Sequence, residues 1–261
     1  MSHNLSGQVA FVTGAGRGIG RSIATQLAKA GASVGLMARR REDLDAVASE
    51  IESFGGKVLI VPGSVTNQDD VVAAIGAVIA AFGPITFLVN NAGQSKPYGK
   101  IGTADPLAWW STQEVHVLGP MLTMSAVIPS MIANGGGRIM NVASMAAKFI
   151  GVESSAYTVS KATVVRLGEH VHAEHKDAGI KIFSIHPGSI VTDMVKTSMA
   201  DPTAPRRFDH LDPNAAEAEL LRVGAQAVEL ASGEFDDLAG EFIDLEKPLS
   251  QSLSEAKAAK A

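Results

Sequence analysis

Apolar and polar positions follow two rhythms along this chain. Short apolar runs bounded by turn residues predict strands: "QVAFVTG" (8–14), "SVGLMA" (33–38), "KVLIVPG" (57–63) and "ITFLVNNAG" (85–93) in the first half, then "GRIMNVAS" (137–144), "IKIFSIHPG" (180–188) and "GEFIDL" (240–245). Between them apolar residues return every three or four positions. Ile19, Ile23, Leu27 and Ala30 mark a helix closed by Gly31, and Leu44, Val47, Ala48 and Ile51 mark the next. Helices are also expected over 68–82, about 106–134 and 155–178. Strands that are apolar at successive positions are covered on both faces. The predicted architecture is therefore α/β: one doubly wound parallel sheet with helices on both sides, a single domain over residues 1–261. Residues 194–213 are polar and carry three prolines, which reads as a loop serving as a substrate lid. The tail, 250–261, is expected to fray, with a short helix as the alternative.

Composition narrows the function classes. With 46% hydrophobic and 19% charged residues the chain can build a large core. A net charge of -5 offers no basic stripe for a phosphate backbone, so nucleic acid is not an expected partner. The absence of cysteine removes disulfides, thiol nucleophiles and thiolate metal sites, and fits a reducing, cytoplasmic setting. "MSHNLSGQ" has neither the basic flank nor the apolar core of a signal peptide. Val71 to Val89 is uncharged and near membrane-helix length, but Gly83-Pro84 breaks it into helix, turn and strand, so no membrane span is expected. His170, His172 and His175 lack the spacing of a helical metal pair, and no metal is expected.

The first candidate chemistry is "TGAGRGIG" (13–20), between a strand and a helix. A helix N-terminus offers free N–H groups to a phosphate, and glycines let a diphosphate approach. The order strand, glycine loop, helix is that of a Rossmann-type dinucleotide site rather than a plain tight turn. The second strand ends in "LMARRRED". Ala38 stands where an acid would select NAD, and Arg39, Arg40 and Arg41 follow, with Arg17 inside the loop. Three cations at a helix start oppose the macrodipole, which favours the 2′-phosphate of NADP over NAD, against a plain solvated helix start.

Tyr157 and Lys161, in "YTVSK", stand four residues apart, on one helix face. A nearby ammonium favours the phenolate and pulls down a tyrosine pKa of ~10. Together "TGAGRGIG", "NNAG" (90–93), Ser144 and "YTVSK" resemble the short, single-domain branch of the short-chain dehydrogenase/reductase family, over residues 5 to about 245. The resemblance implies an NADP(H)-dependent oxidoreductase interconverting a ketone or aldehyde and an alcohol. It makes Tyr157 the general acid/base, Lys161 the group that lowers its pKa and binds ribose, and Ser144 the carbonyl anchor. Gly14, Arg17, Gly18, Ile19, Gly20, Arg39, Ser64, Val65, Asn91, Ala92 and Gly93 would contact the cofactor, with Pro187, Gly188, Ile190 and Thr192 at its nicotinamide end. Gln94, Ser95, Ala146, Phe149, Ile150, Ser189 and Met194 would join Ser144 around substrate. The family's pairing helices imply a homodimer or homotetramer, with Val159, Ala162, Val165 and Ala173 suited to close packing.

Blander readings stand beside these. Ser144 would cap the turn that follows, Tyr157 would pack in the core, and Asn91 would bind backbone in its own turn. Two departures are plain. "VPGSVTN" has Ser64 where the family places an aspartate by the adenine, and "EVHVLGP" has His116 where it places an asparagine that holds a water. A histidine with a pKa of ~6.5 would anchor that water and charge in the working range; the blander reading is that it merely fills the helix core and the water finds another anchor. Loss of the asparagine also leaves room for a low-turnover sensor, and an NAD-dependent alcohol dehydrogenase is the other alternative.

Overall fold

The computed structural model describes residues 3–205 and 211–260. Seven parallel strands form one sheet: β1 (Val9–Thr13), β2 (Ser33–Met37), β3 (Val58–Ile60), β4 (Phe87–Asn90), β5 (Gly137–Val142), β6 (Ile180–His186) and β7 (Phe242–Asp244), in the order β3-β2-β1-β4-β5-β6-β7. β1 pairs with both β2 and β4, so the winding reverses there. That reversal opens a crevice at the carboxyl ends of β1 and β4, the place where open α/β sheets bind ligands.

Every position of β1 is buried. Ala10 and Val12 face a core shared with α1 (Gly18–Lys29), α2 (Arg41–Ser53) and, further along, α8 (Ala216–Ser232); Leu27, Leu44 and Val223 fill it. Val9 and Phe11 face the other core, built with α3 (Gln68–Phe82), α5 (Gly119–Ala133) and α6 (Ser155–His175), where Val71, Val127 and Val171 meet. Two cores on two faces explain why the strands read as unbroken apolar runs.

Three segments differ from expectation. The long helix is α4 (Pro106–Gln113) joined to α5 by a π-helical turn, Glu114–Leu118. The joined stretch Pro106–Ala133 is long and apolar enough to cross a membrane, yet it is a layer of this fold, packed on α3 and α6. The lid region is not all loop: α7 (Asp193–Met199) occupies its start, and the part at 206–210 lies outside the described residues. The tail is not frayed but helical, α9 (Leu249–Lys260). Leu249 is buried, Leu253 and Ala256 pack on the core, and Lys247 and Lys257 pair with Glu255 and Asp237. α8 had no counterpart in the sequence reading.

Candidate active site

The glycine loop joins β1 to α1. Gly14 has φ 63°, and a Cβ there would stand 2.9 Å from the Ala92 backbone. Gly20 has even less room: its Cβ would lie 2.3 Å from the Gly14 carbonyl. The Asn91 amide stitches this turn to the end of β4, donating to the Thr13 and Gly14 carbonyls at 3.0 and 3.1 Å. Asn91 therefore binds backbone, but that of the glycine loop rather than its own turn. No side chain caps α1, which leaves its first N–H groups to face the crevice.

Beyond the loop, a cavity of about 340 Å³ opens between β5, α6 and α7. Ser144 follows β5, and its hydroxyl accepts from Ala146 N–H at 3.2 Å, so it caps a short 3-10 turn while bonding the Tyr157 phenol. Tyr157 and Lys161 stand on successive turns of α6. The Lys161 ammonium is 5.5 Å from the Tyr157 ring centre and donates to the Val142 carbonyl at 2.8 Å. Burial pulls Lys161 down to about 8. Burial raises the Tyr157 phenol above its usual 10.0, Ser144 opposing and Tyr98 adding to the rise. Burial, rather than the Lys161 pairing, is the leading influence on this phenol, and its direction is opposite to the lowering expected from that pairing.

His116 sits in the π-helical turn, its ring edge-on to Tyr157 with centres 5.5 Å apart. Such turns push a side chain out of regular register and recur at functional sites. Nε2 accepts from Gln94 N–H at 2.9 Å, so the proton is on Nδ1, which donates to Ser160 Oγ at 2.6 Å. Ser160 in turn donates to the Tyr157 carbonyl at 2.7 Å. Both ring nitrogens are spent on protein groups and neither is left for a water. Burial, with Lys161 nearby, holds His116 well below 6.5, so it stays neutral in the working range. Both points correct the sequence expectation. Replacing His116 with Ala should strand two buried polar groups and cost on the order of 2–5 kcal/mol in chemical unfolding. Replacing it with Asn should leave the shape of the pH–rate profile unchanged.

The three arginines part company. Arg40 is bidentate to Asp43 and Arg41 pairs with Asp45, while Glu42 and Asp43 offset the macrodipole, so α2 gives no sign of a missing anion. Arg39 is exposed and, among the described residues, has no ion pair. Arg17 lies 3.8 Å from Asp193 at the start of α7. Ser64 uses its hydroxyl on Thr66 and its N–H on Asp70.

A family model described as short chain dehydrogenase matches residues 8–203. The chain belongs to the short-chain dehydrogenase/reductase family. An uncharacterised oxidoreductase of Staphylococcus aureus is 34% identical over 216 residues, covering 83% of this chain and 90% of that one. A short chain dehydrogenase of Pseudocercospora fijiensis is 35% identical over 191 residues, which cover 73% of this chain but only 62% of that protein. Among solved structures, a 7α-hydroxysteroid dehydrogenase complexed with NADH and 7-oxoglycochenodeoxycholic acid superposes with a TM-score of 0.81 at 26% identity, covering 92% of this chain and 93% of that one. Levodione reductase gives a TM-score of 0.82 at 26% identity, covering 92% and 96%.

In this chain the cavity gathers Ser144, Tyr157 and Lys161 with Ile19, Asn91, Gly93, Pro187, Gly188, Ile190 and Thr192. Ser95, Ala146, Phe149, Ser189 and Met194 also line it. Two expected substrate contacts do not. The Gln94 side chain turns to Ser111 and Thr112 on α4, and Ile150 is 94% exposed. Gly14, Arg17, Gly18, Gly20, Arg39, Ser64, Val65 and Ala92 lie outside the cavity, and Val65 packs against Gly119. Sequence reading missed Tyr98, His186, Val195 and Ser198 on the wall. For Tyr98 a signal existed: the chain has only 2 tyrosines.

Proposed function

We propose that this dehydrogenase is an NADP(H)-dependent carbonyl reductase, equally an alcohol dehydrogenase in reverse, acting on a small, largely apolar ketone or secondary alcohol. The observation that carries the reading is the set of Ser144, Tyr157 and Lys161, all on the wall of one mostly apolar cavity at the sheet's switch point. Gly14 and Gly20 let the loop fold tightly against itself and against Asn91 and Ala92, and the start of α1 that it presents, with no side-chain cap, fits a diphosphate. Arg39, exposed and with no ion pair among the described residues, fits a 2′-phosphate. A bound nicotinamide dinucleotide supplies the hydride. Ser144 holds the substrate oxygen, Tyr157 gives it a proton as negative charge develops, and the Lys161 cation stabilises the phenolate left behind. Burial holds the Tyr157 phenol above its usual value, so it carries the proton that reduction needs at neutral pH. The same fold with NAD is the second reading, because of Arg39, Arg40 and Arg41 only Arg39 has no ion pair among the described residues. A low-turnover sensor has less support, since His116 fills the asparagine's place with every polar atom satisfied.

We also propose a homo-oligomer. Trp110, Leu118 and Met121 are exposed on α4, the π turn and α5, and Val159 on α6. Val165 does not contribute, being buried in the chain's own core.

The reading is tested by a panel of neutral ketones and alcohols with each coenzyme, followed by its absorbance. For coenzyme choice, Arg39→Asp should shift the NADPH-to-NADH ratio of kcat/KM by roughly 10- to 100-fold towards NADH, through loss of a charge-assisted bond worth about 1.5–3 kcal/mol. An unchanged ratio would remove the phosphate from Arg39.

A further inference from the structure

The active-site cavity holds both tyrosines of the chain. Tyr157 has a role in the proposed reaction; Tyr98 does not. Tyr98 stands on the segment after β4, across from α7. Its hydroxyl donates to Ser198 Oγ at 2.5 Å, and Ser198 is 2% exposed. Ser198 has one proton and two acceptors for it, the Met194 carbonyl at 2.9 Å and Ser95 Oγ at 3.1 Å. Whichever it serves, it receives the Tyr98 proton. The Tyr98 oxygen then keeps its lone pairs and, among the described residues, no donor is directed at them. An acceptor with fixed geometry in an otherwise apolar wall recognises a hydroxyl. Tyr98 lies close enough to Tyr157 for the two phenols to interact electrostatically, so this acceptor is near the reacting carbonyl. Among the described residues, Lys161 and His186 are the only basic groups lining the cavity and no carboxylate does, so none of these calls for a charged substrate.

We propose that Tyr98 is a specificity-determining residue that accepts a hydrogen bond from a hydroxyl beside the reacting carbonyl, so that the preferred substrate is a neutral hydroxyketone, or a diol in the oxidative direction. The inference rests on the carbonyl-reductase reading and refines it. The Lys96–Asp201 ion pair, at 2.5 Å, joins the same two walls and holds Tyr98 and Ser198 in register.

The test compares kcat/KM for cyclohexanone with that for 2-hydroxycyclohexanone and 4-hydroxycyclohexanone, in wild type and Tyr98→Phe, with NADPH. Wild type should favour one hydroxyketone by about 3- to 10-fold, the size of one neutral hydrogen bond. In Tyr98→Phe that ratio should fall towards one. Turnover of cyclohexanone with no hydroxyketone preferred would overturn the role of Tyr98 and leave the carbonyl-reductase reading standing. A preference unchanged in Tyr98→Phe would overturn it as well. Absence of turnover with every carbonyl and both coenzymes would overturn both. Should the variant fail to fold, the wild-type ratio alone decides.

Discussion

Tyr157→Phe is expected to lower kcat by ~10²–10⁴-fold, the usual worth of a positioned general acid, while NADPH binding stays within about twofold. The ring is held by α6 and by edge contact with His116, neither of which involves the hydroxyl. The hydroxyl's bond with Ser144 is what is lost, together with the proton. Fluorescence titration of NADPH and steady-state kinetics on the same preparation separate the two effects. A variant that kept more than a tenth of wild-type kcat would show that the proton comes from elsewhere.

The second large effect concerns Lys161→Met. Lys161 is 5% exposed and supplies the cation nearest the phenol. Removing it should cost ~10²-fold or more in kcat/KM, because the phenolate formed in turnover loses its stabilising charge. The pH dependence distinguishes this from a packing defect. Burial lowers Lys161 from 10.5 to about 8, so its ammonium is present below that pH and lost above it. Tyr157 is raised, so it remains protonated through the same window. Carbonyl reduction by wild type should hold steady at neutral pH and fall as pH passes about 8. In Lys161→Met that alkaline fall should vanish, leaving a flat profile at a low rate. A fall retained in the variant would assign it to another group.

The legible parts of this molecule were those where local pattern and tertiary demand agree. The central strands, buried on both faces, have to be apolar throughout, and the edge strands β3 and β7 carry short apolar runs of their own, so all seven could be read. Tyr157, Lys161 and Ser144 were legible through spacing and family likeness, and the structure places them on one cavity. What escaped reading depended on partners distant in sequence. α8 has Leu220, Val223, Ala227 and Leu230 at helical spacing, yet it follows a proline-rich stretch that looks like loop. α9 is helical because Leu249 finds a core pocket and Lys247 reaches Glu255, neither visible in an alanine- and serine-rich tail. His116 could be located but not given a state. Its neutrality comes from burial and from Lys161 nearby, and its tautomer from Gln94 N–H, 22 residues before it, and Ser160, 44 after. The arginine cluster was legible as charge but not as pairing, because charge count does not reveal that Asp43 and Asp45 already pair with two of the three.

Coenzyme selection is the central claim that a single number can decide. The measurement is the wild-type ratio of kcat/KM for NADPH against NADH, with the best carbonyl substrate of the panel held saturating. One charge-assisted bond from Arg39 to a 2′-phosphate predicts a ratio of roughly 10 or more in favour of NADPH. A ratio at or below one would contradict the account, leaving Arg39 a solvated side chain and the protein an NAD-dependent dehydrogenase.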